Sequence, residues 1–303
     1  MEQIGILLSM PLNMLINLPL KTFLNLPPQV LASIPLLDFW QYNFMRNALL
    51  AVLLIAPIFG LAGTLVVDNR LSFYSDALGH SALTGIAIGT ILGLQDPIIS
   101  MLMFAVIFGL GISAVKNRAR SSTDTIIGVF SSSAVALGIA LLSREGGFAK
   151  YNRYLVGDIL AIQSSDIILI AATLVLIIIF YLFFYNRLLV TSVNRSLAIS
   201  KGIPARLLEN LYLVIIAILV TVAIKWVGIL LINSLLILPA SAARNVARSM
   251  RQYHALSLTF SFISCIAGLL LSFYFDTAAG ATIVLVSAVI FALTFGLSRI
   301  KNN

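Results

Sequence analysis

Two side chains of this sequence, Asp76 and His80, have the types and the spacing to hold a divalent cation. They lie in a segment of helical length, and residues four apart in a helix share one face with about 5–6 Å between their Cβ atoms. An imidazole beside a carboxylate suits a borderline cation such as Zn²⁺ or Mn²⁺. Two ligands from one helix also suit transport, which needs a site that releases its ion. The alternative is that Asp76 only hydrogen-bonds His80 or a neighbouring helix.

Two further polar residues, Lys225 and Asn233, lie within or beside apolar segments. The Lys225 ammonium either acts as a gate charge that opposes a cation or snorkels to the membrane interface. Asn233 carries an amide that needs hydrogen-bond partners when it is buried. This amide is a candidate to help coordinate a passing ion.

The segment Asn194–Arg206 is polar and basic and separates two apolar segments. Within it, Ala198, Gly202 and Pro204 indicate a short helix followed by a turn. One interpretation is a solvated loop, and the other is a helix that docks a cytoplasmic partner. The candidate docking residues are Asn194, Arg195, Ala198, Lys201, Gly202 and Arg206.

The elements that must position these residues are membrane-spanning helices. Of the 303 residues, 60% are hydrophobic and 10% are charged, whereas soluble domains are about 45–50% apolar and about 25% charged. One soluble core could not bury this apolar content, so the chain is predicted to be an all-α, polytopic integral membrane protein in contact with membrane lipid. The net charge of +8 then reflects basic cytoplasmic loops rather than nucleic-acid binding.

A membrane span needs about 20 apolar residues, and charges and prolines divide the chain into about eight to nine such lengths. The boundary between the sixth and seventh is the least marked, so this region is a candidate for a broken helix. Glycines at 85, 89 and 93 predict close helix packing. The predicted spans are Arg46–Val67, Leu71–Leu94, Pro97–Lys116, Thr123–Ser143, Asp166–Tyr185, Leu207–Lys225, Trp226–Ala243, Ala255–Tyr274 and Ala279–Leu297.

The loops on the two sides of the predicted bundle differ in charge. One side holds 13 of the 19 Lys and Arg residues and the other holds 6, so the first side and the C-terminus are predicted to be cytoplasmic. Residues 1–45 are apolar but interrupted by prolines, which predicts an interfacial or re-entrant segment. Residues 46–303 are the predicted transmembrane domain.

Several signals of other functions are absent from the sequence. There is no G-x-x-x-x-G-K-[ST] phosphate loop, so ATP binding by that route is not expected. The H-E-x-x-H and G-x-S-x-G hydrolase signals are also missing, and the chain is therefore not predicted to be an enzyme. The single cysteine, Cys265, excludes a disulfide framework within one chain.

Four separated motifs resemble those of one family, the permease subunits of bacterial ABC importers for zinc, manganese and iron. Tyr74–Leu83 resembles the family segment (F/Y)-G-D-(A/T)-L-(S/A)-H-(A/S)-x-L. Lys225–Arg244 resembles V-G-x-L-L-(V/I)-x-(A/S)-L-L-I-x-P-A-A-x-A, flanked by a Lys and an Arg typical of the zinc-importing, ZnuB-type branch. Tyr154–Leu160 and Asp276–Gly280 match two further landmarks. Ala278 departs from the family, which usually has Pro there, and the lead-in at Asn194 is less acidic than usual.

This resemblance implies the architecture of an ABC importer permease in the bacterial inner membrane. It implies a homodimer with the pathway between two copies, two cytoplasmic ATP-binding subunits and an extracytoplasmic metal-binding protein. Asp76 and His80 are then the leading transit ligands for Zn²⁺, and Asn194–Arg206 is the contact with the ATPase, where ATP hydrolysis occurs. The alternatives are a manganese or iron permease of the same family and a stand-alone, ion-coupled secondary transporter with its site at a broken helix.

Overall fold

The structure is a computed structural model that describes residues 42–94, 96–116, 118, 121–145, 154–155 and 157–302. The predicted N-terminal segment, residues 1–45, lies outside the described residues except for its last four. Residues from Asn47 onward form one compact unit.

The described residues form ten α-helices and no β-strand, which confirms the all-α prediction. Each of the nine predicted spans overlaps mainly with one long helix, and the remaining helix, α6, is the short one predicted between two spans. The helices are α1 Asn43–Asp68, α2 Ser72–Ile91, α3 Ile98–Lys116, α4 Thr123–Glu145, α5 Ser164–Val193, α6 Arg195–Ser200, α7 Ala205–Val227, α8 Ile229–Val246, α9 Met250–Tyr274 and α10 Ala279–Asn302. A 3₁₀ turn, Ile159–Ala161, precedes α5.

Seven of these helices (α1, α3, α4, α5, α7, α9 and α10) are long and apolar enough to cross a membrane. The other two long helices, α2 and α8, have 20 and 18 residues. At about 1.5 Å per residue these lengths are close to the thickness of the hydrocarbon layer. All nine predicted spans therefore correspond to helices of crossing length.

Contacts between helix ends show which ends lie together. Arg244, near the end of α8, donates to Asp68 at the end of α1 at 2.8 Å, and Asn245 donates to Thr294 of α10 at 3.3 Å. A small cavity joins the ends of α1, α3 and α5 to the start of α7, and its lining includes Asn69, Ser113, Thr191 and Tyr212. These are the ends that the sequence assigned to the side with 13 basic residues, and we call this side of the bundle the basic end.

At the opposite end, a sharp break separates α7 from α8. Gly228 forms the break with φ 88°, two residues beyond the boundary predicted after Lys225. Gly157, also at positive φ (71°), packs on the break, where an added Cβ would lie 2.6 Å from the carbonyl oxygen of Trp226 and closer still to the Gly228 nitrogen. Two glycines are therefore required here, both for backbone conformation and for space.

The predicted glycine contacts of α2 are confirmed at two of three positions. A Cβ on Gly85 would lie 2.5 Å from the Met101 Cα atom of α3, and one on Gly89 would overlap the Ser100 hydroxyl. Gly93 lies beyond the end of α2, with φ 71° and nothing near its Cβ position. Gly93 therefore provides the backbone conformation of the turn after α2 rather than a close helix contact.

Serine hydroxyls hold α9 against α1. Ser257 donates to the carbonyl of Gly60 and Ser261 to that of Ala56, both at 2.7 Å. Both serines are fully buried. In a bilayer such hydroxyls find their partners on neighbouring helices, and here the spacing of one turn on each helix fixes the register of the pair.

Candidate metal-transit site

Helix α2 brings Asp76 and His80 together as their spacing predicts. The Asp76 Oδ2 and His80 Nε2 atoms are 3.6 Å apart, which is longer than an N–H···O hydrogen bond. Two ligands of a tetrahedral Zn²⁺, each at about 2.0–2.2 Å from the metal, lie about 3.4 Å apart. The separation is therefore compatible with two ligands of one cation.

The two side chains lie on an open face of α2. Their side chains are 45% and 37% exposed, Asp76 and His80 respectively, and Phe73 on the same face is 62% exposed. Leu83 continues this face by one more turn. The other faces of α2 around the site are covered, since Ser75 and Ala77, on either side of Asp76, are buried. We call Phe73, Asp76, His80 and Leu83 the open stripe.

Asn233, the third predicted site residue, reaches α2 through a serine. The Ser75 hydroxyl lies 2.5 Å from the Asn233 Oδ1 atom, and the start of α8 passes close to α2 at Gly79, whose Cβ position is 3.4 Å from the Ile229 carbonyl oxygen. Asn233 therefore lies beside Ser75, the residue that precedes Asp76. Ser75 was not predicted from the sequence, although a hydroxyl directly before the Asp76 carboxylate, in an otherwise apolar segment, could have indicated it.

Lys225 has a partner that sequence reasoning did not assign. Its Nζ atom donates to Asp166 Oδ1 of α5 at 2.9 Å, and the two side chains are 33% and 12% exposed. The other carboxylate oxygen accepts from the backbone N–H of Gln163 at 3.1 Å. The ammonium is therefore an ion-paired charge next to the α7–α8 break. An ionisable residue in the first turn of an apolar helix is the signal that marks Asp166.

The predicted docking segment contains the expected short helix and turn, which confirms its local structure. The Asn194 side chain caps α6 by accepting from the Leu197 N–H at 3.0 Å, and Ala198 is fully buried. Gly202 forms the turn after α6 at φ 72°. Arg195 pairs with Glu209 of α7, with 3.4 Å between the charged atoms, so α6 is tied to the start of α7.

The outer surface of this segment is both basic and apolar. Lys201 and Arg206 are exposed, and Leu197 and Ile199 are 46% and 60% exposed. All of them lie at the basic end. Exposed apolar side chains flanked by charges are typical of an interaction surface.

In the part of the chain that the structure describes, no cluster of three or more His, Cys, Asp or Glu side chains could hold a metal ion. The described residues therefore contain the pair on α2 but no larger group of these side chains. A pair of ligands from one chain leaves the remaining coordination positions of a tetrahedral cation open to other ligands.

The chain resembles known membrane proteins over most of its length. It is 33% identical over 256 residues to the high-affinity zinc uptake system membrane protein ZnuB of Haemophilus influenzae, covering 84% of this chain and 97% of that protein. It is 31% identical over 255 residues to the manganese transport system membrane protein MntC of Listeria innocua, covering 84% and 91%.

A solved structure shows the same architecture. PsaBC from Streptococcus pneumoniae in complex with Fab matches with a TM-score of 0.76 and 32% identity, covering 86% of this chain and 94% of that chain. The match confirms the fold of an ABC importer permease that the four motifs indicated. Residues 41–298 match the ABC 3 transport family, and the chain belongs to that family.

Proposed function

We propose that this chain is the permease subunit of an ATP-driven ABC importer that moves a divalent transition-metal cation, Zn²⁺, into the cytoplasm. One observation carries the proposal: Asp76 and His80 lie 3.6 Å apart on an open face of a helix of crossing length. Ionisable side chains inside a span mark ion pathways. Because the chain belongs to a family of transport proteins, a transit site is the function that this pair fits best.

Zinc is favoured by the ligand chemistry. Imidazole suits Zn²⁺, whereas Mn²⁺ prefers sites made mostly of oxygen ligands. Mn²⁺ is the second candidate, because the relative from Listeria innocua is named as part of a manganese transport system. Iron is a third cargo open to the same family.

The open stripe supports a homodimer with the pathway between two copies. Ionisable residues inside membranes face a bundle interior or a water-filled cavity rather than lipid, and the stripe is not covered by its own chain. A second copy placed against it would bring two Asp76–His80 pairs to one pathway. Four N and O ligands are the number that tetrahedral Zn²⁺ takes.

The remaining partners follow from the two ends of the bundle. We place the basic end and the C-terminus in the cytoplasm, where α6 meets one of two ATP-binding subunits. The opposite end then receives the ion from an extracytoplasmic binding protein. Closure of the ATPase pair displaces α6 and α7 and switches the pathway between outward- and inward-facing states.

The test is metal accumulation in proteoliposomes that contain this chain with its proposed ATPase and metal-binding protein. ATP-dependent ⁶⁵Zn²⁺ uptake that excess Mn²⁺ competes with poorly is the expected result. Uptake of ⁵⁴Mn²⁺ in preference to Zn²⁺ would transfer the assignment to manganese. Uptake by the chain alone, driven by an ion gradient without ATPase, would show a secondary transporter instead.

Arg206→Glu is expected to weaken assembly with the ATPase or to uncouple ATP hydrolysis from transport. The reversal places a carboxylate on the exposed surface beside α6, where the proposal has the ATPase bind. Co-purification of the ATPase and the uptake-to-hydrolysis ratio measure the effect. Arg118→Glu, an exposed arginine between α3 and α4, is the matched control. Equal behaviour of both variants and the wild type would leave the segment a solvated connector.

We further propose that Lys225 is an outer gate charge, held in place by Asp166. Removing the Lys225 charge leaves the Asp166 carboxylate without its partner, and one unit of charge changes the energy of a divalent cation by about 4 kcal/mol at about 8 Å and an effective dielectric of about 20. Lys225→Gln is therefore expected to raise passive Zn²⁺ leak more than tenfold in the absence of ATP and binding protein, while Lys225→Arg stays tight.

Asp166→Asn separates this gate from a simple interhelical clamp. Both single variants break the ion pair, but only Lys225→Gln removes the positive charge. A gate predicts leak in Lys225→Gln alone. Equal leak in both variants would show that the pair only holds α5 to α7, and no leak in either would favour a snorkelling lysine.

A further inference from the structure

Tyr74 ties the metal-site helix to two other helices. Its side chain is fully buried, and its hydroxyl donates to the backbone carbonyl of Leu213 on α7 at 3.1 Å. The same hydroxyl rests on Gly109 of α3, where an added Cβ would overlap it. The absence of a side chain at position 109 is therefore what lets Tyr74 reach α7.

Tyr74 anchors the back of the site helix. Asp76 follows Tyr74 by two positions, which corresponds to about 200° around a helix of 3.6 residues per turn. Tyr74 consequently faces α3 and α7, while Asp76 lies on the open stripe on the other side of α2. A displacement applied at Tyr74 moves the helix that carries both metal ligands.

The start of α7 is connected to the docking segment by one short stretch of side chains. Glu209 pairs with Arg195 of α6, and the next residue, Asn210, accepts a hydrogen bond from Ser113 of α3 at 2.5 Å. Leu213 lies one turn further along α7. These three side-chain contacts of α7, with α6, α3 and α2, thus lie within about one and a half turns of helix.

A third side of α2, marked by the buried Ser75, contacts α8. Ser75 meets Asn233 of α8, and α8 packs with α9 and α10. The backbones of α2 and α3 approach closely at Gly85, which favours their movement together. A displacement of α7 would therefore shift α2 and α3 relative to α8, at the place where Asp76 and Asn233 lie.

We propose that Tyr74 is the positioning residue that transmits a displacement of α6 and α7 to Asp76 and His80. The proposal rests on the proposed function, because it requires an ATPase that acts on α6. Tyr74 itself contacts no ion. Its hydroxyl sets how far α2 follows α7 when the docking segment moves.

The experiment is the ratio of Zn²⁺ imported to ATP hydrolysed in the reconstituted complex carrying Tyr74→Phe. This variant keeps the ring and removes only the hydroxyl. We expect the ratio to fall by about 2- to 30-fold, the range over which residues between coupled sites modulate coupling, with ATP hydrolysis retained. An unchanged ratio would overturn the inference, whereas a wild-type complex that imports no metal would overturn the proposed function.

Two further variants separate positioning from a general loss of stability. Tyr181→Phe removes a comparable hydroxyl, which bonds the Leu61 carbonyl between α5 and α1, and should leave the ratio unchanged. Gly109→Ala should lower the ratio in the wild type but add little to Tyr74→Phe, since both act on one contact. An equal fall for Tyr181→Phe, or fully additive effects, would assign Tyr74 a structural role only.

Discussion

Asp76→Ala and His80→Ala are each expected to abolish ATP-driven Zn²⁺ uptake while leaving the folded complex intact. Each variant removes one of two donor atoms that lie 3.6 Å apart, and one remaining ligand per chain cannot replace the hydration shell of the ion. The loss should exceed the roughly 10- to 100-fold that is lost when a residue hydrogen-bonded to a metal ligand is changed. Uptake in proteoliposomes and the yield of assembled complex are the two measurements.

Leu83→Ala provides the control for this pair. Leu83 lies on the same open stripe but offers no donor atom, so it tests whether any truncation on this face impairs transport. Normal uptake by both Asp76→Ala and His80→Ala in assembled complexes would refute the site. Loss of uptake in Leu83→Ala to the same extent would show that the stripe matters as a surface rather than as a ligand pair.

Gly157→Ala is expected to destabilise the protein by about 2–5 kcal/mol. Part of the cost is the left-handed backbone at φ 71°, worth about 1–2 kcal/mol for a residue with a Cβ atom. The rest is overlap with backbone atoms of the α7–α8 break, which have no rotamer to change and must shift as a whole. Thermal denaturation of the purified protein in detergent measures the change.

Gly202→Ala separates the two contributions. Gly202 has nearly the same φ, 72°, but no atom within 4 Å of its Cβ position. It should lose only the backbone contribution, about 1–2 kcal/mol. If both variants lose the same stability, the close approach of Gly157 to Gly228 contributes nothing and the break is held by other contacts.

Features that depend on neighbours in sequence could be predicted from the sequence. The long apolar segments marked nine helices, because a span needs a fixed number of apolar residues. The four-residue spacing of Asp76 and His80 placed them on one face, because helix geometry is local. Gly202 and Pro204 marked the end of the docking helix for the same reason.

Features that depend on tertiary packing could not be predicted in this way. Asp166 lies 59 residues from Lys225, and no periodicity relates the two. The same holds for Tyr74 and Leu213, 139 residues apart. The span boundary between α7 and α8 was expected two residues too early, because Trp226 and Val227 are apolar enough to begin a span.

The serine contacts between α9 and α1 constrain helix length more than they constrain residue type. Ser257→Ala would remove one hydrogen bond, a loss of about 0.5–1.5 kcal/mol, and Ser261 would still hold the register. Inserting one residue between the two serines would instead rotate the rest of α9 by about 100° and turn one hydroxyl away from its carbonyl. During divergence, single substitutions in this pair of helices are therefore tolerated more readily than single-residue insertions or deletions.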